Sequence, residues 1–243
     1  MLKTDYIKQE TLVNAHEKAV QNDMPNLLIK GNDKTGTLGK YGYMYRTKGL
    51  AIHDCPNRTN TCQNACYAVM DHLFNLERGH GVAHYYSQLA HTDPLALFDK
   101  LDLEIADLLK KPRIRNKGLV IRIHESGDFV SRMHVLAYAW LAAKYPTVTF
   151  FGYSRSWVDP KIGQALSELN ALPNVNIRES LDNDRYVGTG LTSLAFFGDK
   201  DKEPTRSFKC VEQLTKGKDN HIKCIDCGLC WSQRSLNVVF KKH

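Results

Sequence analysis

Lys117-Gly118-Leu119-Val120-Ile121-Arg122-Ile123-His124-Glu125-Ser126-Gly127-Asp128 is a mostly apolar run that ends abruptly in polar residues, and it decides the fold class. A strand over Lys117 to His124 is followed by a helical pattern over Val130 to Lys144, a strand over Thr147 to Tyr153, a helix opened by Asp159-Pro160, and a strand over Asn174 to Glu179. Strand, helix, strand, helix, strand at this spacing predicts parallel β/α units. In such sheets and barrels, ligands bind beyond the carboxyl ends of the strands. The informative residues are therefore His124, Glu125, Ser126, Gly127 and Asp128 after one strand, Tyr153, Ser154 and Arg155 after the next, and Glu179, Ser180 and Asp182 after the third. Three titratable groups at one terminus, His124, Glu125 and Asp128, need water, partners or a ligand.

Working outward, Asp93-Pro94 reads as an N-cap and first turn of a helix running to Leu108. Cys62 to Leu89 reads as two helices broken at Gly79 and Gly81. Leu27 to Lys30 is a short strand, the glycine-rich stretch 31–49 is hairpins or loop leading into Leu50 to His53, and Glu10 to Asp23 has the spacing of an amphipathic helix. The basic run Lys110, Lys111, Arg113, Arg115 and Lys117 precedes a strand, which puts it at the end remote from the expected site, as a solvated loop.

The seven cysteines fall into two groups: Cys55, Cys62 and Cys66, then Cys210, Cys224, Cys227 and Cys230. No apolar run reaches the ~20 residues of a membrane span, and the first twenty residues lack a signal-type core. The expected location is cytoplasmic, with no membrane partner. A reducing compartment makes closely spaced cysteines metal ligands sooner than disulfides. Four thiolates close a zinc or four-iron site, whereas three leave one iron of a [4Fe-4S] cluster open to another ligand. Cys62 and Cys66 lie one helical turn apart, and Cys55 enters from the preceding loop. Cys224, Cys227 and Cys230 share a loop that Gly228 turns, with Cys210 as fourth ligand. That C-terminal spacing leans towards iron–sulfur, with zinc the alternative.

With 243 residues, the chain has room for one full α/β domain and a small appended module: 1–200 as the core and 201–243 as a cysteine-rich metal-binding segment. The net charge of +7 is compatible with a nucleic-acid partner, for which Trp157, Trp231, Arg234, Lys241 and Lys242 are the candidate contacts. Metal-dependent hydrolysis at His124, Glu125 and Asp128 is a further possibility. Its weakness is that His80 and His84, though spaced as a pair, lack an accompanying acid.

Asp54-Cys55-Pro56, Cys62, Cys66-Tyr67-Ala68, His124 to Phe129, Tyr153-Ser154-Arg155-Ser156 and Cys224 to Trp231 together resemble the gene product 88 family of phages and plasmids, which implies a mobile-element origin. A more distant resemblance is to radical SAM enzymes. It implies a partial parallel β/α barrel, an open [4Fe-4S] cluster in the loop after the first strand, and an acidic turn after the second strand that contacts S-adenosylmethionine. Glu125-Ser126-Gly127-Asp128 stands in that turn's place, and Ile177 to Asp182 is similar to a later strand ending in Ser-Leu-Asp. The cysteine spacing departs from the usual three-then-two pattern and is six-then-three. The resemblance further implies catalytic roles for His124, Glu125, Asp128 and Arg155, cofactor contacts from Glu125 to Asp128 and from Tyr153, Ser154, Glu179 and Ser180, an electron donor such as flavodoxin or ferredoxin, and a substrate that the sequence does not name.

Overall fold

A computed structural model describes residues 26–47, 49–51, 54–66 and 76–241, without the side chains of 76–82. The helix expected over Glu10 to Asp23 and the strand residues His53 and Ile52 lie outside that set. Among the described residues, nine strands form one sheet: β1 (Leu28–Lys30), β2 (Leu38–Gly39), β3 (Gly42–Thr47), β4 (Leu119–Ile123), β5 (Val148–Ser154), β6 (Val175–Leu181), β7 (Leu194–Phe197), β8 (Ser207–Lys209) and β9 (Asn237–Phe240). Their spatial order is β1-β3-β4-β5-β6-β7-β9-β8, with β2 paired to β3. β1 and β2 run antiparallel to β3, and every other pairing is parallel. The α/β expectation with parallel β/α units therefore holds. Among the described residues, no strand pairs β1 with β8, so the sheet is mixed and mostly parallel with no barrel closure shown.

The helices are α1 (Asn60–Asn64), α2 (Leu76–Thr92), α3 (Pro94–Lys110), α4 (Pro112–Lys117), α5 (Arg132–Lys144), α6 (Pro160–Asn170), α7 (Val211–Thr215), α8 (Cys224–Cys227) and α9 (Leu229–Ser232). Caps start most of the long ones: Asp93 accepts from Ala96 N, Ser131 from His134 N, and Asp159 from Lys161 N and Ile162 N. The predicted break at Gly79 and Gly81 does not occur, because α2 runs through both. The basic run is likewise no plain loop. Pro112 occupies the first turn of α4, and Ile114 inserts into the core and anchors it.

Parallel strands covered on both faces are apolar throughout, which is why β4 reads as a continuous run. Leu119, Ile121 and Ile123 join Phe150, Val175 and Ile177 against Ile105 and Leu108 of α3, Val135 and Leu141 of α5, and Leu166 and Leu169 of α6. On the opposite face Met44, Val120 and Phe151 meet Ile225, Trp231, Cys224 and Cys230. The segment after residue 200 thus plays two parts. It gives β8 and β9 to the shared sheet, and its short helices cover the face that α2 to α6 leave bare.

Candidate metal and redox site

The first cysteine loop is tied across the carboxyl ends of three parallel strands. Asp128 N donates to Asp54 O (2.8 Å). Asn57 Nδ2 donates to Ser156 Oγ (3.4 Å), Thr59 Oγ1 donates to Asp182, and Thr61 N donates to Asp184 Oδ2 (2.7 Å). Arg185 Nη1 donates to the carbonyl oxygens of both Asn57 and Arg155 (3.3 and 3.4 Å). Thr59 also caps α1, accepting from Cys62 N at 3.1 Å, which fixes Cys62 at the start of that turn.

Beneath the loop lies a buried acid–base lattice. Asp128 Oδ1 accepts from Ser154 Oγ and Phe129 N, and Oδ2 accepts from Arg155 N, each at 2.7 Å. Burial raises the Asp128 pKa while these donors pull it back. Arg155 Nη1 sits 2.8 Å from Asp182 Oδ2, and Asp182 Oδ1 accepts from Asp184 N and Arg185 N. The thiols face this lattice. Burial pushes Cys55 well up, and Asp128, Cys62 and Cys66 push it further. Cys62 is raised by burial as well, but Arg155 opposes the rise through its charge and a hydrogen bond to the sulfur.

The second group is clasped by the β1–β3 region. Cys224 N donates to Lys34 O (3.1 Å), Ile225 N to Thr35 O (2.9 Å), Tyr41 N to Ile225 O (3.3 Å) and Lys40 N to Asp226 Oδ1 (2.9 Å). Gly228, at φ 70°, makes the turn between α8 and α9, and a Cβ there would lie 2.2 Å from the Tyr41 ring. The Tyr153 phenol opposes the burial-driven rise of the Cys230 pKa, and Arg178, fully buried, donates to the carbonyl oxygens of Leu229, Cys230, Gln233 and Leu236 and to Ser193 Oγ. Asn176 Nδ2 donates to Cys230 O as well (2.8 Å). Burial drives Cys224 up to about 12 and raises Cys210 and Cys230. Lys34 works against this at Cys210 and Cys224, Arg122 at Cys224, and Arg178 at Cys230.

All seven cysteines are free thiols, and among the described residues no three His, Cys, Asp or Glu side chains converge tightly enough to hold an ion as they stand. Within each group the thiols lie close enough to raise one another's pKa, a repulsion between thiolates that a bound cation relieves.

The remaining sequence candidates divide by placement. His124, in a left-handed conformation at φ 52°, packs on Phe129, His134 and Tyr138 at ring separations of 4.6, 5.1 and 5.7 Å, inside the helical layer. Its burial pulls its pKa well below 6.5, so it sits as a neutral ring away from the cysteine loop. Glu125 pairs with Arg46 and is partly exposed. Ser126 Oγ donates to Leu50 O (2.9 Å), and Gly127, at φ 72°, packs against Leu50 too closely for any side chain. Glu179 Oε2 accepts from Thr189 N and Oγ1 (both 2.8 Å), holding the loop before β7, while Ser180 is partly exposed. Tyr153, expected with the first group, belongs to the second. Of the nucleic-acid candidates, Trp157 is buried, Trp231 packs on Tyr41 and Phe151, and Arg234 donates to the carbonyl oxygens of Leu172 and Val175. Lys242 lies outside the described residues. No described helix is long and apolar enough to cross a membrane.

Sequence reasoning placed Arg178 among the strand-end residues without giving it a role, and missed Thr59. An arginine in the middle of the buried strand Val175–Leu181 was the available signal for its role, since a buried charge needs a dedicated set of partners.

A profile of the Gene product 88 family matches residues 14–233. The chain belongs to the Gene product 88 family. It is similar to the Gene 88 protein of Mycobacterium phage L5, 25% identical over 196 residues, covering 76% of this chain and 81% of that protein. It is likewise similar to the Gene 88 protein of Mycobacterium phage D29, 25% identical over 197 residues with the same coverage. No solved structure matches.

Proposed function

We propose that this Gene product 88 protein is an iron–sulfur enzyme of radical SAM type. Cys55, Cys62 and Cys66 hold an open [4Fe-4S] cluster, and Cys210, Cys224, Cys227 and Cys230 hold a second, closed cluster, with zinc as the alternative occupant there. The observation that carries this is the docking of segment 54–66 over the ends of β4, β5 and β6, which sets Cys55 and Cys62 beside Asp128, Arg155 and Asp182. Topology supports it. The cysteine loop follows β3, the first parallel strand, the acidic turn 125–128 follows β4, the second, and β3 to β7 stand side by side in chain order. These are the places at which the resembling enzymes carry their cluster loop and cofactor-contacting turn.

When bound, such a cluster supplies the electron that cleaves the sulfonium of S-adenosylmethionine, leaving a radical that abstracts hydrogen from a substrate. The chain's own residues prepare for this. Asp128 locks the loop to β4 and β5 through four hydrogen bonds, counting that from its own N–H to Asp54. Arg155 stabilises the Cys62 thiolate while Asp182 holds Arg155 and Thr59 in register. Glu125, which pairs with Arg46, and Ser180 are both partly exposed and would meet cofactor or substrate in this reading. The electron donor is a flavodoxin or ferredoxin.

The test is anaerobic reconstitution with iron and sulfide, metal quantification, and EPR of the reduced protein with and without S-adenosylmethionine. The expected result is a spectrum altered by the cofactor and release of 5′-deoxyadenosine, both lost in Cys62→Ala with the circular dichroism unchanged. Zinc as the sole metal, or cofactor cleavage retained in Cys62→Ala, overturns the proposal.

A further inference from the structure

The basic run from Lys110 to Lys117 is a built element that neither cysteine group uses. Ile114 enters the core, Ile114 N and Arg115 N donate to Lys111 O (2.9 and 3.1 Å), and Tyr43 N donates to Gly118 O (2.9 Å), which ties the exit of α4 to β3. Lys110, Lys111, Arg113, Arg115 and Lys117 are all exposed on this fixed backbone. Lys110 pairs with Asp107 at 2.7 Å, and the other four side chains make no ion pair or hydrogen bond among the described residues. No Asp or Glu occurs between Asp107 and Glu125. The corner between α3 and α4 is a surface recess of about 740 Å³, lined by Asp107, Lys110, Lys111, Pro112 and Arg113.

The unpaired cations stand in two rows. Lys111 and Arg115 are four residues apart, as are Arg113 and Lys117, so each pair shares one side of the helical turn. Ile114 lies between the rows on the core side, and the exposed Asn116 lies between them on the solvent side. Like charges held together on a fixed backbone repel one another until an anion lies against them. The rows run about 9 Å along the axis, a length over which one strand of a duplex presents about three phosphates. They are separated by the width of a helix, about 10–12 Å with its side chains, which matches the B-form major groove at about 12 Å. A membrane surface fits less well, since an interfacial helix offers an apolar face to lipid and Ile114 is buried in the core. Single strands fit less well too, because they are held by stacking on aromatic rings and the run contains none.

We infer that α4 and the α3–α4 corner form a docking surface for double-stranded DNA, holding phosphates on both sides of the major groove without reading base sequence. The surface lies at the amino end of β4, and the five residues of that strand put it about 16 Å from the carboxyl end over which the first cysteine loop docks. DNA is thus held away from that loop, and the inference does not depend on metal at the cysteines.

The test is fluorescence anisotropy of the full chain with labelled DNA duplexes of unrelated sequence, between about 50 and 200 mM salt. Four phosphate contacts give an expected slope of log affinity against log salt of about −3.6, a loss of about 10²-fold across that range, alike for each sequence. Arg113→Gln/Arg115→Gln keeps good helix formers in α4 and is expected to reduce the slope by about 1.8 and the affinity at the lower salt by about 10²-fold, with melting unchanged. Arg113→Lys/Arg115→Lys keeps both charges and is expected to bind as the wild type does. Lys216→Gln/Lys218→Gln removes the same charge from the exposed turn after α7 and is expected to leave the slope unchanged. No duplex binding at the lower salt, a slope that the Arg113→Gln/Arg115→Gln change leaves unaltered, or equal weakening by both charge-removing variants overturns the inference. So does tighter binding to a single strand or an RNA duplex of the same sequence, or binding to phosphatidylserine vesicles alone.

Discussion

Replacing Arg178 by Met is the sharpest test of how the C-terminal segment is held. The guanidinium is fully buried and reaches four carbonyl oxygens. Two of those keep a second donor after the change: Cys230 O retains Asn176 Nδ2 (2.8 Å), and Leu229 O retains Gln233 N (3.1 Å). The oxygens of Gln233 and Leu236 lose the arginine. An orphaned buried acceptor costs about 1–3 kcal/mol, so the pair costs about 2–6 kcal/mol. Relief from burying a cation offsets part of this, and methionine fills much of the volume. The expected net loss is about 2–4 kcal/mol, or roughly 5–15 °C in melting temperature for a chain of this size. Thermal unfolding with paired thiol-labelling kinetics reads both the magnitude and the place. Cys230 should become rapidly modifiable while Cys62 keeps its wild-type rate. Unchanged melting together with an unchanged Cys230 labelling rate would refute the account.

The buried histidines set a pH dependence. Burial holds His134 neutral with its pKa pulled down to about 3, and His124 falls well below 6.5. Both bind protons more readily unfolded than folded, so stability is complete above about pH 6.5 and falls as the pH drops, by about 1.4 kcal/mol per unit for each ring still neutral in the fold. Urea midpoints from pH 7 to 4 should decline accordingly, and a His134→Phe variant should flatten that slope. Arg155→Gln takes the cation from Cys62 and leaves Asp182 with Thr59 and backbone donors alone. Slower alkylation of Cys62 at neutral pH is expected, along with a stability loss of about 3 kcal/mol. Wild-type alkylation in that variant would mean that the guanidinium does not tune the thiol. Gly228→Ala forces a left-handed alanine against the Tyr41 ring and should cost about 2–3 kcal/mol, read as a lowered melting temperature.

The parallel core was legible because burial on both faces makes β4 and the first half of β5 mostly apolar, and because Asp93, Asp159 and the prolines after them announce their helices. The strands after residue 190 were not. β7, β8 and β9 are three or four residues long, too short for a period to register, and they are fixed by their neighbours instead of by their own composition. The run through Gly79 and Gly81 misled for a related reason, since the cost of about 1 kcal/mol per helical glycine is overridden where tertiary packing holds the helix. In the site, the cysteine groups and Asp128 stood out by spacing and position. The roles of His124 and Tyr153 did not, because which face a strand-end side chain takes depends on backbone detail such as the left-handed turn at His124.

The strand order β7-β9-β8 has a consequence for biogenesis. β9, the last strand described, is not added at an edge but slots between two strands made earlier, and β8 has no other partner. Until residues 237–240 have left the ribosome, β8 hangs unpaired and Cys210, whose N–H donates to Val239 O, has no anchor. Packing of the segment around Cys210 is thereby deferred until β9 is made, and a chain stopped before residue 237 has an open seam in its sheet, with β8 left unpaired beside β7.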